Sequence, residues 1–513
     1  MLYMKKILLS LALVSSGLLS VQAQSIIYVN DDATGNNDGS SWANAYNDLN
    51  VALTNSSTND EIWIAEGFYT RTSSNETFRV DNDVRIYGGF SGNETDKDQR
   101  NIKANPTVVS GDVSWNDQGI VSSTNTYMQD NAEHVFEVHS TNRAVFDGLI
   151  IEHAFSTTAA GGGIYVYSQS MNNLEISNCI IRENVSANRA GVLFYSQVPA
   201  AFLMYNNIIE KNVNADFNSA YTVEYRITGN SHVYSEVHMV NNLFNDNITE
   251  AFGMGGTCGR FTIIPGGCEI DIFLLNNTFI NNAQGNYVPG LFAYESAGAA
   301  SYFYPHISNN IFYNNYGATD IFSVSNGSAS ALVIFPDYSY NNIQDFPDLQ
   351  GLTNTQIINA TPFVDYINGD YRPIAAYEAG GNTAMYSNSN LIDVFANQMY
   401  PEVDLAGNPR FNTQGEIAIG ASQAGPNTLS VDDLKETANL SIFPNPADDI
   451  ITIKHELTGN LDISIYTLTG AQVSNTVLSG NLNTIDVSNL PTGYYILKAK
   501  SNNQEHVEKL IIK

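Results

Sequence analysis

NNIIEKN at residues 206–212 is followed by NNLFNDN at 241–247, NNTFINN at 276–282 and NNIFYNN at 309–315. The same phrase stands upstream as NCIIREN (178–184) and DGLIIEHA (147–154), and downstream as NNIQDF (341–346). Aligned on Ile150, Ile180, Ile208, Leu243, Thr278, Ile311 and Ile343, the steps are 30, 28, 35, 35, 33 and 32 residues. A fixed phrase at a slightly variable period is the mark of a solenoid whose loops differ in length. Each unit adds a second apolar run, such as GGIYVY (162–167), AGVLFY (190–195) and GLFAY (290–294), bounded by Gly and Asn. These runs are too short for helices and rich in residues that suit strands. The expected fold class is therefore all-β: a right-handed parallel β-helix with about three short strands per coil.

The asparagines follow from stacking. Asn184, Asn212, Asn247, Asn282 and Asn315 share one alignment column. Asn178, Asn206, Asn241, Asn276, Asn309 and Asn341 share another. Amides stacked at a turn bond to the coils above and below, and Asn tolerates the left-handed backbone that corners need. Ahead of the repeats, a short helix is expected to lay Trp42, Ala45, Leu49, Ala52 and Leu53 over the open end of the core.

The 513 residues carry a net charge of -30 with only 14% charged side chains. That sign repels phosphate backbones and argues against nucleic acid as a partner. Residues 1–23 read as a signal peptide. Lys5 and Lys6 precede an apolar run from Ile7 to Leu19, and Val21-Gln22-Ala23 places cleavage between Ala23 and Gln24. No later stretch has the roughly 20 apolar residues of a span, so no transmembrane segment is expected in the mature chain. Residues 24–423 would form the β-helix with its amino-terminal cap, 424–439 a polar linker, and 440–513 a small antiparallel β-sandwich of alternating strands and turns.

The opening YVN…GSSWANAY, the YGGFSGNET…ANPTVVSGD stretch and the NN-I-F-x-NN repeats resemble secreted parallel β-helix proteins of Bacteroidetes with pectate-lyase-like topology. Asp404, Gly407, Asn408, Pro409 and Arg410 are similar to that group's closing signature, although this chain reads IGASQ where the group has IGAYE. Phe443-Pro444-Asn445-Pro446, Leu468-Thr469-Gly470, Leu490-Pro491-Thr492-Gly493-Tyr494-Tyr495 and the end from Lys509 to Lys513 resemble a type A sorting domain of type IX secretion. That resemblance implies handling by the type IX machinery, passage through periplasm and outer membrane, and a cell-surface or secreted product, often attached to lipopolysaccharide.

Chemistry is harder to read. Glu152, Arg182 and Glu210 share a column, and His153, Glu183 and Lys211 share the next. Glu152, Arg182, Glu210 and Lys211 are the candidates for an acid/base groove acting on a uronate. Charges alternating up an exposed ladder account for the same residues, and this structural reading is preferred. Tyr165, Tyr167, Tyr195 and Tyr294 are candidates for a sugar-stacking platform if they face outward. Asp31, Asp32 and Asp38 offer oxygen ligands for Ca²⁺, the one cofactor considered, while Asx turns explain them equally. Cys258 and Cys268 flank a Gly-rich loop and could pair, since an exported chain permits disulfides. The leading expectation is a glycan- or surface-binding β-helix without catalysis. The alternatives are a polysaccharide lyase or glycoside hydrolase, and a purely structural adhesive stalk.

Overall fold

The computed structural model describes residues 25–422 and 440–512, apart from interrupting segments of which 283–289, 344–355 and 387–399 are the longest. The signal segment with Ala23 and Gln24, and the linker at 424–439, lie outside the described residues.

Three parallel sheets of eleven, ten and eight strands run the length of the repeats. One coil shows how they are made. Asn173–Ser177 lies in the first sheet, Ile180–Arg182 in the second and Val192–Ser196 in the third, and Ala201–Tyr205 returns to the first. A minor sheet of three short strands, Val185–Ser186, Val213–Asn214 and Ile248–Thr249, follows the second. Consecutive coils pair in parallel and in register, for example Ile180 with Ile150 before it and Ile208 after it. The chain is a parallel β-helix.

Alternation along these strands fills the interior. Phe146, Ile176 and Met204 enter from the first sheet, Ile151, Ile181, Ile209 and Phe244 from the second, and Phe136, Ile164 and Val192 from the third, all fully buried in one core. Rings stack from coil to coil, as Phe244 on Phe279 (5.0 Å between centroids) and Phe279 on Phe312 (4.9 Å).

Both corners of the second sheet use the left-handed region. Gly148, Asn178, Asn206, Asn241, Asn276 and Asn309 have φ between 53° and 78° at the entry. His153, Glu183, Lys211, Asp246, Asn281 and Asn314 have φ between 51° and 61° at the exit. The first amide ladder runs as expected: Asn184, Asn212, Asn247, Asn282 and Asn315 are fully buried, each Nδ2 donating to the next Oδ1 at 2.9–3.2 Å. The second ladder falls one residue later than the alignment column suggests. Asn207, Asn242, Asn277 and Asn310 carry it at 2.9–3.0 Å, because the preceding Asn supplies the turn and only its neighbour points inward. Cys179 takes the first rung, its N–H donating to Asn207 Oδ1 at 2.9 Å.

At the amino-terminal end, Ile26–Val29 pairs with Glu61–Ala65, and the helix Leu49–Asn55 places Leu49, Ala52 and Leu53 in the core. Trp42 is not on that helix. It belongs to a separate short turn, Trp42–Asn44, because Asp48 caps the helix by accepting from Asn50 N. Its ring packs outside the core with Tyr28 and Phe90. At the other end, Phe363, Tyr371, Leu405 and Ile419 cover the outer apolar residues Ile208, Leu243, Ile280 and Ile311. Tyr386, Tyr400 and Ile417 cover Ala201, Leu203, Tyr205 and Phe273. Arg410 is fully buried and donates to the carbonyls of Ala418 (2.7 Å) and Gly420 (3.0 Å), which holds the closing turn.

Residues 440–512 form one three-stranded and one four-stranded antiparallel sheet. Ile451, Ile453, Ile463, Ile465, Leu497, Ala499 and Leu510 build a core of their own between them.

Candidate functional site

The outer face of the second sheet changes character along its length. Toward the carboxyl end it is apolar and covered. Toward the amino end it carries Glu152, Arg182 and Glu210, neighbours in register as the sequence predicts. Beside them the left-handed corner presents His153, Glu183 and Lys211. Residues 111–131 fold over this end. Met128 and Val121 pack on Val185, Val213 and Ile248 of the minor sheet, and Ser123 N donates to Glu250 at 3.1 Å. Gly111 is required at the crossing, since a Cβ there would lie 2.5 Å from the His153 carbonyl oxygen.

The overlying segment brings three groups that composition did not single out: Asp112, Asp117 and Asn131. The Asp112 carboxylate accepts the N–H groups of Ser114 (3.1 Å), Asn116 (3.3 Å) and Asp117 (3.2 Å). This wraps the chain tightly enough to force Trp115 to φ 56°. Trp115 stands exposed in an edge contact with Phe68, centroids 5.5 Å apart. Asn131 Nδ2 donates to Asp117 Oδ2 (2.7 Å) and to the His153 carbonyl (2.9 Å).

His153 is the hub. Its Nε2 lies 3.0 Å from Glu183 Oε2, and its Nδ1 lies 3.8 Å from Glu152 Oε1 and 3.9 Å from Asp117 Oδ2. Arg182 Nε donates to Glu152 Oε2 at 2.8 Å, and Lys211 Nζ reaches Glu183 Oε1 at 3.5 Å. Burial pushes the Asp117 carboxyl up to about 7, against the pull of His153. Burial alone would lower His153, but Glu152, Glu183 and Asp117 outweigh it and raise the imidazole to about 9. Burial would raise Glu183, yet His153, Arg182 and Lys211 hold it at about 2. Glu210 is raised by burial, only partly opposed by Lys211 and Arg182. Glu152 is paired with Arg182, and Glu183 with His153 and Lys211, whereas burial leaves Asp117 near neutrality.

The tyrosines divide by strand parity. Tyr165, Tyr167 and Tyr195 face outward on the third sheet, with Tyr167 57% exposed. Tyr165 stacks on His134 (4.7 Å, 9°), and Tyr167 packs on His139 at 4.8 Å. Arg226, paired with Tyr195, holds its guanidinium 5.8 Å over that ring. Tyr294 does not belong to this row. Its strand pairs it with Phe261, the inward register, so the ring is buried against Phe261 and Phe303.

The possible pairing of Cys258 with Cys268 is not made in this structure, where both side chains are fully buried in the main core, as is Cys179. In the front loop, Asp38 accepts from Ser40 N at 3.0 Å, an Asx turn, and Asp32 N donates to Asn30. Asn47 Nδ2 donates to the carbonyls of Asn30, Asp31 and Ala33. Among the described residues, the group that brings three ligand atoms within 4.8 Å of one another is Asp112, Asp117 and His153, not Asp31, Asp32 and Asp38.

Comparison with known proteins bears on the carboxyl-terminal segment. Residues 441–513 match the family of the secretion system C-terminal sorting domain. This segment is a sorting domain. It marks the chain for export by the type IX system to the cell surface or beyond. Among solved structures the chain is similar to one described as the crystal structure of pectate lyase Pel9A, with 13% identity and a TM-score of 0.34 over 79% of this chain and 98% of that one. No curated protein matches. No helix among the described residues is long and apolar enough to cross a membrane.

Proposed function

We propose that the exported β-helix binds glycans at the cell surface, through the outward row of Tyr165, Tyr167 and Tyr195. The observation that carries this reading is the exposure of Tyr167 in a row where His134 backs Tyr165 and His139 backs Tyr167. Such a row offers apolar faces to sugar rings at little ordering cost. The net charge of -30 favours neutral glycans over uronates. The pairing of Glu152 with Arg182, and of Glu183 with His153 and Lys211, supports binding over acid/base chemistry at the predicted ladder.

The test is calorimetric titration of the mature protein with neutral and acidic polysaccharides. Y167A/Y195A is expected to weaken binding to a neutral glycan at least about tenfold. Unchanged affinity in that variant overturns the reading. Unsaturated uronates or new reducing ends appearing with wild type, and absent in E152Q, would replace it with the enzyme.

A further inference from the structure

We propose that Asp112, Asp117 and His153 hold a divalent transition-metal cation of the zinc class, which pins the 111–131 segment to the corner of the second sheet. One ligand atom from each of these residues lies within 4.8 Å of the other two. His153 Nδ1 and Asp117 Oδ2 stand 3.9 Å apart. Donors around a tetrahedral ion, with bonds of about 2.0–2.2 Å, are separated by roughly 3.4 Å. Closing that pair takes about half an ångström, and bringing in the Asp112 oxygen, within 4.8 Å of the other two, takes at most about 1.4 Å.

Two observations beyond proximity point to a cation. Asp117 Oδ1 is buried and has no hydrogen-bond partner, on a side chain only 8% exposed. A buried carboxylate oxygen without a donor is costly, and a bound cation removes that cost. The second observation is the orientation of His153. Its Nε2 faces Glu183 Oε2 at 3.0 Å, and Lys211 clasps the other oxygen of Glu183. A carboxylate on one ring nitrogen holds the N–H there, and a metal that displaces the Nδ1 proton of the imidazolium meets the outer-shell arrangement of histidine metal sites. Asp112 already accepts backbone N–H groups, but carboxylate oxygens keep further lone pairs for a metal. Imidazole with carboxylates suits zinc better than calcium.

Strand pairing already sets Ser110 beside Glu152, and the site would add Asp117, from the overlying segment, to that corner. Asp112 and Asp117 belong to the overlying segment, and His153 belongs to the coil beneath it. Occupation would thus act on stability, independently of the tyrosine row on the third sheet.

The experiment uses untagged mature protein stripped with EDTA, then given ZnCl₂, CaCl₂ or MgCl₂ at equal concentration. Elemental analysis after gel filtration is expected to give about one zinc per chain, with Tm raised by about 3 °C or more. Calcium and magnesium should leave Tm unchanged. D117N, close in shape to the native side chain, should retain no zinc and show no shift. E183Q keeps all the ligands and should bind 10–100-fold more weakly, following the loss of its outer-shell partner. Absence of retained zinc in wild type overturns the proposal. So does stoichiometric zinc that persists with wild-type affinity in D117N and in H153Q.

Discussion

Asn212 Nδ2 donates to Asn247 Oδ1 at 3.0 Å, and the backbone N–H of Asn212 shares the same acceptor at 3.3 Å. Asn247 in turn donates to Asn282 Oδ1 (2.9 Å) and to the carbonyl of Ile209 in the preceding coil (2.8 Å). One buried amide therefore satisfies polar groups of three successive coils. Asn247→Ala removes the partner of three such groups, the Asn212 N–H, one N–H of its amide and the Ile209 carbonyl, while Asn282 Oδ1 keeps the backbone N–H of residue 247 at 3.1 Å; each unsatisfied group costs about 1–3 kcal/mol. The expected loss is about 3–5 kcal/mol, read as a lowered urea midpoint, against under about 1 kcal/mol for Asn245→Ala on the outer face. Equal losses at the two sites would show that the ladder is not the stabilising element.

The Glu152–Arg182 pair should matter more than an exposed ladder. Sequence reasoning alone assigns such a pair about 0.2–1 kcal/mol. Glu152 is only 5% exposed, so Arg182→Ala leaves a buried carboxylate without its 2.8 Å partner. A loss of about 3 kcal/mol is expected, and E152Q/R182M should be milder than R182A alone because no unpaired charge remains. Chemical denaturation of the three proteins checks this order.

His238 should make acid weaken the fold. Burial holds its imidazole below the ordinary value near 6.5, against the pull of Glu236 and Asp271 and with His306 acting in the same sense as burial. Nε2 meets Glu236 at 2.8 Å, Nδ1 meets the Tyr400 hydroxyl at 2.8 Å, and the ring stacks on Phe273. Below about pH 6.5 the unfolded chain binds a proton that the native imidazole refuses. Stability then falls as pH drops, by at most about 1.4 kcal/mol per unit. The stability gap between wild type and H238Q should narrow from pH 7.5 to 5.5. A gap that widens contradicts the buried neutral imidazole.

Burial should shield all three cysteines from reagents in the native protein. Burial pushes Cys179 up to about 12 and Cys258 well upward, so neither forms thiolate at neutral pH. Native protein is expected to resist a thiol reagent, and protein denatured without reductant should react at three sites per chain. A single reactive site would instead reveal the Cys258–Cys268 bond.

Removal of residues 441–513 should abolish export while sparing the β-helix. The sorting segment has its own core of Ile451, Ile463, Leu497 and Leu510, sharing no residue with the solenoid core. Cell fractionation should find the truncated chain retained, with unchanged β-rich circular dichroism. Surface display without the segment would refute its role.

Much of this architecture was legible as text. The repeat from DGLIIEHA to NNIFYNN determined the coil period, the stacking of Glu152 on Arg182 and the first asparagine ladder, because parallel in-register pairing converts alignment columns directly into spatial neighbours. The terminal motifs named the sorting domain for the same local reason: they are short and contiguous. What the text could not decide was side. Tyr195 and Tyr294 occupy similar-looking strands, yet one faces out and one in, since a shift of one residue reverses every side chain. The second ladder moved by one position in the same way. Asp117 and Asn131 reach His153 only because residues 111–131 fold back over the corner. Their approach depends on the packing of Met128 on Val185 and Val213, a contact between distant segments that no periodicity encodes.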